Sequence, residues 1–264
     1  MLLVLDIGNT NASIGLFEEN EEEAGNLTVQ ARFSSADRTS DEAGLMLNSL
    51  LHSNGIPKEG IGGAILCSVV PRLEAAWKDA IKEYIGVVPL TVSDRLDLGM
   101  KIEMDFPGEV GADRIANAVG AAEKYGCPVV AVDLGTAINI DVVSREGAYI
   151  GGAIAPGLSA SVHALFSKTA KLPQVALEAP PRVIGKNTVN AIQSGIVYGY
   201  TGLVDELVRR ILSELGSEAP VVATGGQAEI LAAESSTIKI VDRRLTLDGL
   251  RIIYRRNKTG SPNP

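Results

Sequence analysis

"LDIGNTNASIGLFEE", residues 5–19, decides how the chain is read. An apolar run stops at Asp6, passes through Gly8-Asn9-Thr10-Asn11, and resumes. Residues 2–7 read as a buried strand and 12–17 as its hairpin partner. The pattern then returns in "PVVAVDLGTAINIDVV", residues 128–143. Asp133-Leu134-Gly135-Thr136 parallels Asp6-Ile7-Gly8 with Thr10, and the second copy is one residue shorter between Gly and Thr. Two strand–Asp–Gly–Thr–strand units in 264 residues imply two related α/β halves. The boundary falls near residues 110–127 and is drawn after residue 115, giving 1–115 and 116–264.

Composition narrows the class. Apolar residues make up 45% and charged residues 21%, enough for a sizeable globular core. The 28 glycines favour tight turns and close backbone approaches, as in α/β enzymes. A net charge of −8 without a basic stripe argues against general nucleic-acid binding. Cys67 and Cys127 sit in or beside apolar runs and read as two buried, reduced thiols. His52 and His163 lie in helical patterns, and no Cys/His cluster with zinc spacing exists. MLLVLDIG is too short and acid-interrupted for a signal peptide, and no apolar run approaches a membrane span. The expectation is a cytoplasmic protein without membrane or nucleic-acid partners.

Along the chain, Glu18 to Glu23 is an acidic run that reads as a solvated hairpin loop, since carboxylates that close repel one another. Thr39-x-x-Glu42 predicts a capped helix with Leu47, Leu50 and Leu51 on its apolar face. "GAILCSVV", 63–70, has the look of a central parallel strand, and Pro71 opens a helix presenting Leu73, Ala76, Trp77, Ala80, Ile81 and Tyr84. "VPLTV", 88–92, predicts a strand. "GADRIANAVGAAEKYG", 111–126, predicts a helix with Ile115, Ala118, Val119 and Ala122 inward. Helices follow over roughly 158–170 and 188–215, then the strand "VVAT", 221–224, and closing helices.

A strand ending in Asp before a Gly/Thr hairpin suits phosphate. Glycine lets backbone N–H groups approach the oxygens, and Asn and Thr add donors. The carboxylate would repel phosphate, so a cation must mediate, and Mg²⁺ binds through one or two carboxylates plus phosphate and water. One such turn is a weak signal; two facing copies could clamp a triphosphate. "VVATGG" adds a strand followed by bare backbone against which a flat base could lie. No G-x-x-x-x-G-K-[ST] sequence is present, so the cradle is not a P-loop.

"DIGNTN", "VGADR", "VDLGTA", "GGAIAPGL", "GKNT" and "ATGG", in this order and spacing, resemble type III pantothenate kinase, a family of the acetate and sugar kinase, Hsp70 and actin superfamily. The resemblance runs from Met1 to "LTLDGLRIIY" and implies two actin-like, ribonuclease H-like α/β domains with a nucleotide cleft between them. It further implies an ATP-dependent kinase that phosphorylates pantothenate to 4'-phosphopantothenate, the first step of coenzyme A biosynthesis. Asp6, Ile7, Gly8, Asn9, Thr10, Asn11, Ala12 and Ser13 resemble the family's first ATP phosphate loop, with Asp6 helping to hold Mg²⁺. Thr136 resembles a second-loop residue that meets ATP. Asp133 resembles the acid that binds a monovalent cation, K⁺ or NH₄⁺. Asp113 matches the catalytic base, within an acceptor-binding set of Met104, Gly111, Ala112, Asp113 and Arg114. Thr188 matches a substrate contact supplied by the neighbouring subunit, which implies a homodimer. Read without these motifs, Asp113-Arg114 is equally well a helix-start cap.

Four positions depart from the family pattern. Met104 stands where the family carries Tyr, Phe106 where it carries Asn, and Ile138 and Asn139 where it carries two Thr. Each exchanges hydroxyl or amide hydrogen bonding for other chemistry, which points to weakened acceptor binding, while Asp6, Asp113 and Asp133 all remain. Two alternatives stay open beside the pantothenate kinase: a non-enzymatic or regulatory relative, and a kinase for a different hydroxylated acid.

Overall fold

The computed structural model describes residues 1–19, 25–167 and 173–258. In chain order the elements are β1 (Leu2–Ile7), β2 (Asn11–Phe17), β3 (Leu27–Ser34), α1 (Ser40–Ser53), β4 (Gly63–Ser68), α2 (Pro71–Ala80), β5 (Leu90–Thr91), α3 (Ala112–Tyr125), β6 (Val129–Leu134), β7 (Ala137–Val143), β8 (Tyr149–Pro156), α4 (Leu158–Ser167), α5 (Thr188–Leu215), β9 (Val221–Thr224), α6 (Ala228–Glu234), β10 (Ile240–Val241) and α7 (Leu245–Lys258). They form two compact units. Met1–Lys101, Asp105–Gly120 and Leu245–Pro264 make the first; Ile102–Met104 and Ala121–Arg244 make the second. The units divide α3 after Gly120, and α7 belongs with the first because it packs on β1 and β4. The expected boundary after residue 115 falls inside α3 and leaves α7 with the other half.

The first sheet has the order β3-β2-β1-β4-β5 and the second β8-β7-β6-β9-β10. In each, an antiparallel meander of three strands is extended by parallel pairing on its central side. The second sheet therefore repeats the first strand for strand, as the twin motifs foretold. Three of the four edge strands, β3, β8 and β10, had no forecast. Half-exposed and exposed residues alternate along β3, so it lacks the continuous apolar run that announces a central strand.

In the first unit Leu3, Leu5 and Ile7 of β1 and Ala12, Ile14 and Leu16 of β2 pack on Ala43, Leu47 and Leu51 of α1 and Leu73 and Trp77 of α2. The predicted capping box starts α1: Thr39 N–H donates to Glu42 Oε2 at 2.8 Å and Glu42 N–H to Thr39 Oγ1 at 3.2 Å. Pro71 takes the first turn of α2, where a missing N–H costs nothing. The opposite sheet face is covered by α7, which also grips α3. A Cβ on Gly249 would strike the Ala116 carbonyl, and one on Gly120 would lie 2.7 Å from the Leu245 carbonyl. Thr246 Oγ1 donates to the buried Asn117 Oδ1 at 2.7 Å. Because α7 closes a further side of α3, Ala116 and Asn117 are buried beside the expected Ile115, Ala118 and Val119; Ala121 is also buried, while Ala122 is only half-buried. This clamp positions the N-terminus of α3.

In the second unit Val130, Val132, Leu134, Ile138 and Ile140 pack on Leu158 of α4, Val204 and Val208 of α5, and Leu231 of α6. Asn187 caps α5, accepting from Asn190 N–H at 2.8 Å, and left-handed Gly216 ends it. Asp205 of α5 accepts from the Ser235, Ser236 and Thr237 hydroxyls and from Ser236 and Thr237 N–H, at 2.5–3.2 Å.

Two expectations need correction or lie elsewhere. Cys67 is buried, but Cys127 is exposed, because it precedes β6 at the helix-to-strand turn instead of joining the apolar run. Of the acidic run, residues 20–23 lie outside the described residues, as do 168–170 of the helix expected to end there; Glu19 accepts from Lys258 Nζ at 2.8 Å. Among the described residues no helix is long and apolar enough to cross a membrane.

Candidate active site

The first strand turn is built as the sequence implied. Asp6 is the penultimate residue of β1, and Gly8 N–H donates to the Asn11 carbonyl at 3.0 Å to close the turn. Asn9, Thr10 and Asn11 are exposed, Ser13 is half-buried, and Ser35 N–H ties the Thr10 carbonyl to the end of β3 at 2.9 Å. Ile7 and Ala12 are buried and hold the turn in the core through their side chains. Asp6 pairs in register with Ser13 on β2 and Cys67 on β4. The Cys67 thiol donates to Asp6 Oδ1 at 3.3 Å. Burial and the two nearby carboxylates, Asp6 and Asp113, push that thiol well up, so it stays a neutral donor.

Asp113 lies in the first turn of α3, and its Oδ1 accepts the Arg114 N–H at 2.8 Å. Burial pushes its carboxyl above the ordinary range, opposed by backbone hydrogen bonds and by the Arg114 charge. Burial, then the Asp113 charge, push Asp6 up to about 6, against the pull of Cys67 and Arg32. Asp6 therefore feels the Asp113 charge on the sheet face away from the α1 and α2 core. Burial raises both carboxyls, and the Asp113 charge adds to the rise at Asp6, so each binds a proton more readily than a solvated acid does. Gly111 and Ala112 line a cavity of ≈ 300 Å³ with Ser68, Val69, Ser93, Asp94 and Val110. Its size is at the lower end for small-molecule sites.

The second turn repeats the device. Gly135 N–H donates to the Ala137 carbonyl at 3.0 Å, so this turn is shorter than the first, as its sequence is. Asp133 pairs in register with Asn139 on β7 and Thr224 on β9. Thr136 is exposed at the turn, and its carbonyl accepts Gly157 N–H at 3.2 Å. The "ATGG" segment lies against this turn: Gly225 has φ +93°, and a Cβ there would sit 2.5 Å from Asp133 Oδ1 and 2.6 Å from the Leu134 carbonyl. Only glycine fits both demands.

The sequence-derived residues thus divide between the units. Asp6 to Ser13 and Gly111 to Arg114 belong to the first; Met104, Asp133, Thr136 and Thr188 belong to the second. Thr188 is exposed at the start of α5, flanked by Val183 (68% exposed), Ile184 (80%) and Val189 (40%). The Met104 sulfur packs 3.2 Å from where a Gly151 Cβ would be, while Phe106 in the first unit is 67% exposed. Ile138 does not stand where a side chain can meet substrate. It is fully buried among Val132, Leu134 and Leu158, because its place on β7 points into the core. Asn139, next along, faces the Asp133 side. Two residues near the first turn escaped sequence reasoning: Arg32, on the unforecast edge strand β3, and Cys67, read only as core. Strand register alone brings them beside Asp6.

Among the described residues no three His, Cys, Asp or Glu side chains gather as a metal cage. The Asp6 carboxylate fits Mg²⁺ nonetheless, since that ion needs one or two carboxylates and takes its remaining oxygens from phosphate and water. Asp133 Oδ1 and the Leu134 carbonyl both face the Gly225 position, an oxygen donor set of the kind hard cations take.

Two repeated α/β units, each with an acid at the end of its central strand before a glycine turn, define the actin-like class. Solved structures agree on the fold. Component A of the (R)-2-hydroxyglutaryl-CoA dehydratase of Acidaminococcus fermentans superposes with a TM-score of 0.57 at 14% identity, covering 98% of this chain and 99% of its own. The inorganic polyphosphate/ATP-glucomannokinase of an Arthrobacter strain gives 0.53 at 14% identity, covering 96% and 98%. Sequence comparison is more specific. The profile of the family described as type III pantothenate kinase matches residues 2–210. The type III pantothenate kinases of Koribacter versatilis (44% identical, 99% of this chain and 97% of theirs), Pelobacter propionicus (47%, 98% and 100%) and Dehalococcoides mccartyi (48%, 97% and 98%) align nearly end to end. The chain belongs to the type III pantothenate kinase family.

Proposed function

We propose that this protein transfers the terminal phosphoryl group of ATP to the 4'-hydroxyl of pantothenate, opening coenzyme A biosynthesis in the cytoplasm. The carrying observation is the pair Asp6 and Asp113, gathered beside the first glycine turn and next to a cavity lined by Gly111 and Ala112. In this reading the exposed polar turn Asn9 to Asn11 and the Ser13 hydroxyl meet phosphate oxygens, and Thr136 meets the nucleotide from the second turn. Asp113 orients the acceptor hydroxyl and takes its proton as the acceptor oxygen bonds to phosphorus and the bond to departing ADP breaks. Its raised proton affinity suits that task. Arg114 holds the acceptor's carboxylate or amide by forked hydrogen bonds. Asp6 would hold Mg²⁺, and the ion would supply charge neutralisation at the phosphate oxygens. Asp133 would hold K⁺ or NH₄⁺.

A homodimer completes this reading. Thr188 stands among exposed apolar Val183, Ile184 and Val189, a surface suited to a second copy of the chain. Met104 in place of a hydrogen-bonding Tyr argues for weak acceptor affinity. Incubation of the purified protein with Mg·ATP, K⁺ and a panel of hydroxylated acids, read by ADP release and product mass, tests the proposal. Pantothenate-dependent ADP release is expected. Turnover only with another acid moves the acceptor assignment, and none with any acceptor defeats the kinase reading.

A further inference from the structure

The strand register lines up a row of side chains across the first sheet. Arg32 on β3 pairs with Ser13 on β2, Ser13 with Asp6 on β1, and Asp6 with Cys67 on β4. Residues directly opposite in paired strands project to the same face, so Arg32 shares the face of Ser13 and Asp6. Leu3, Leu5 and Ile7 point to the helical core, which places the row on the other side. Adjacent strands lie about 4.8 Å apart, so the Arg32 backbone is roughly 10 Å from that of Asp6. A long side chain spans that gap over the small Ser13. Arg32 is exposed, whereas its neighbours Ala31 and Phe33, facing the core, are half-buried. Its charge already reaches Asp6, whose carboxyl it pulls down.

The repeated sheet makes the contrast. Its corresponding row runs Ile154, Asn139, Asp133, Thr224, with an apolar residue where the first sheet has a cation. The first face carries two carboxylates, Asp6 and Asp113, and under the kinase reading it also receives the phosphates of ATP. A divalent ion offsets only part of that negative charge. Arginine stays charged at any working pH, and its planar fork matches phosphate oxygens.

We propose that Arg32 is a phosphate-binding residue of this site, its guanidinium donating forked hydrogen bonds to β- and γ-phosphate oxygens of the nucleotide seated on the Gly8–Ser13 turn. The inference rests on the kinase reading and extends it to a residue outside the family's phosphate loop.

Calorimetric titration of the full-length protein and its Arg32→Ala and Arg32→Lys variants with Mg·ATP, Mg·ADP and AMP tests it, alongside KM values for ATP and pantothenate. Loss of a charge-assisted hydrogen bond to phosphate corresponds to weakening on the order of 10- to 100-fold. Arg32→Ala should weaken Mg·ATP by that factor, weaken ADP less and leave AMP and the pantothenate KM unchanged. Arg32→Lys should recover part of the loss. The thermal midpoint should stay put, since the side chain is exposed on an edge strand. Equal ATP affinity and turnover in Arg32→Ala and the active unmodified protein would overturn this inference alone. So would equal weakening of ATP and AMP, which marks a distorted loop. An unmodified protein that neither binds nucleotide nor phosphorylates pantothenate would overturn this inference and the kinase reading together.

Discussion

Asp113→Asn separates a base from a helix cap. The amide keeps the carboxylate's shape and its oxygen can still accept the Arg114 N–H now bonded at 2.8 Å. It cannot take a proton at neutral pH. A positioned base contributes about 10²–10⁴ in rate, which corresponds to roughly 3–5 kcal/mol of barrier. The stability change should be far smaller, because two effects oppose one another. Loss of an anion at the N-terminus of α3 costs about 0.3–1 kcal/mol. Removal of the charge that helps push Asp6 up relieves a repulsion in the folded state. Expected, then, is a fall in pantothenate-dependent ADP release of two to four decades, with Mg·ATP affinity and thermal midpoint close to those of the parent. Steady-state kinetics, calorimetry and thermal denaturation read the three quantities on one preparation. Phosphorylation at the parental rate would refute the argument and reduce Asp113 to a helix-start residue. A rate loss matched by equal loss of ATP binding and stability would refute it as well, since the variant would then have damaged the fold.

Three further outcomes are expected. Met104→Tyr, restoring a phenolic donor, should lower the KM for pantothenate more than it changes turnover, as a contact serving ground and transition states alike does; an unchanged KM would show that residue 104 does not meet the acceptor. Ile138→Thr should cost about 1–3 kcal/mol of stability by placing a hydroxyl in the dry core, with the pantothenate KM unaltered, and a lowered KM would contradict its burial. Asp205→Asn should destabilise the protein by about 1.5–3 kcal/mol at neutral pH. Burial raises the Asp205 carboxyl, but hydrogen bonds from Ser235, Ser236 and Thr237 outweigh that and hold it well below the usual range. A depressed folded value means the contribution is complete above about pH 4 and is lost as pH falls further. The gap in stability between parent and variant should therefore narrow on acidification, and a gap independent of pH in denaturant titrations would count against the linkage.

The sequence by itself carried the local and repeated features. Asp6-Ile7-Gly8 and Asp133-Leu134-Gly135 announced the two central strands and their turns, since a buried strand, an acid and a glycine turn are legible over a few residues. Thr39 with Glu42 and Pro71 marked helix starts for the same reason: caps are local chemistry. Even the shorter second turn was visible as a missing residue. Tertiary structure alone decided what depends on pairing across distance. The edge strand β3 announces itself weakly, because only one of its faces is buried, so Arg32 had no visible reason to stand near Asp6 until register placed it there. Ile138 read as a lost substrate contact because spacing gives a residue's order and not its face; the antiparallel pairing with Leu134 turns it into the core. Cys127 read as buried from its apolar neighbours, though a strand's first flanking residue is often still outside. Likewise α7, last in the chain, belongs with the first sheet, since only close approach of Gly249 to α3 reveals which half can accept a helix without a Cβ at that crossing.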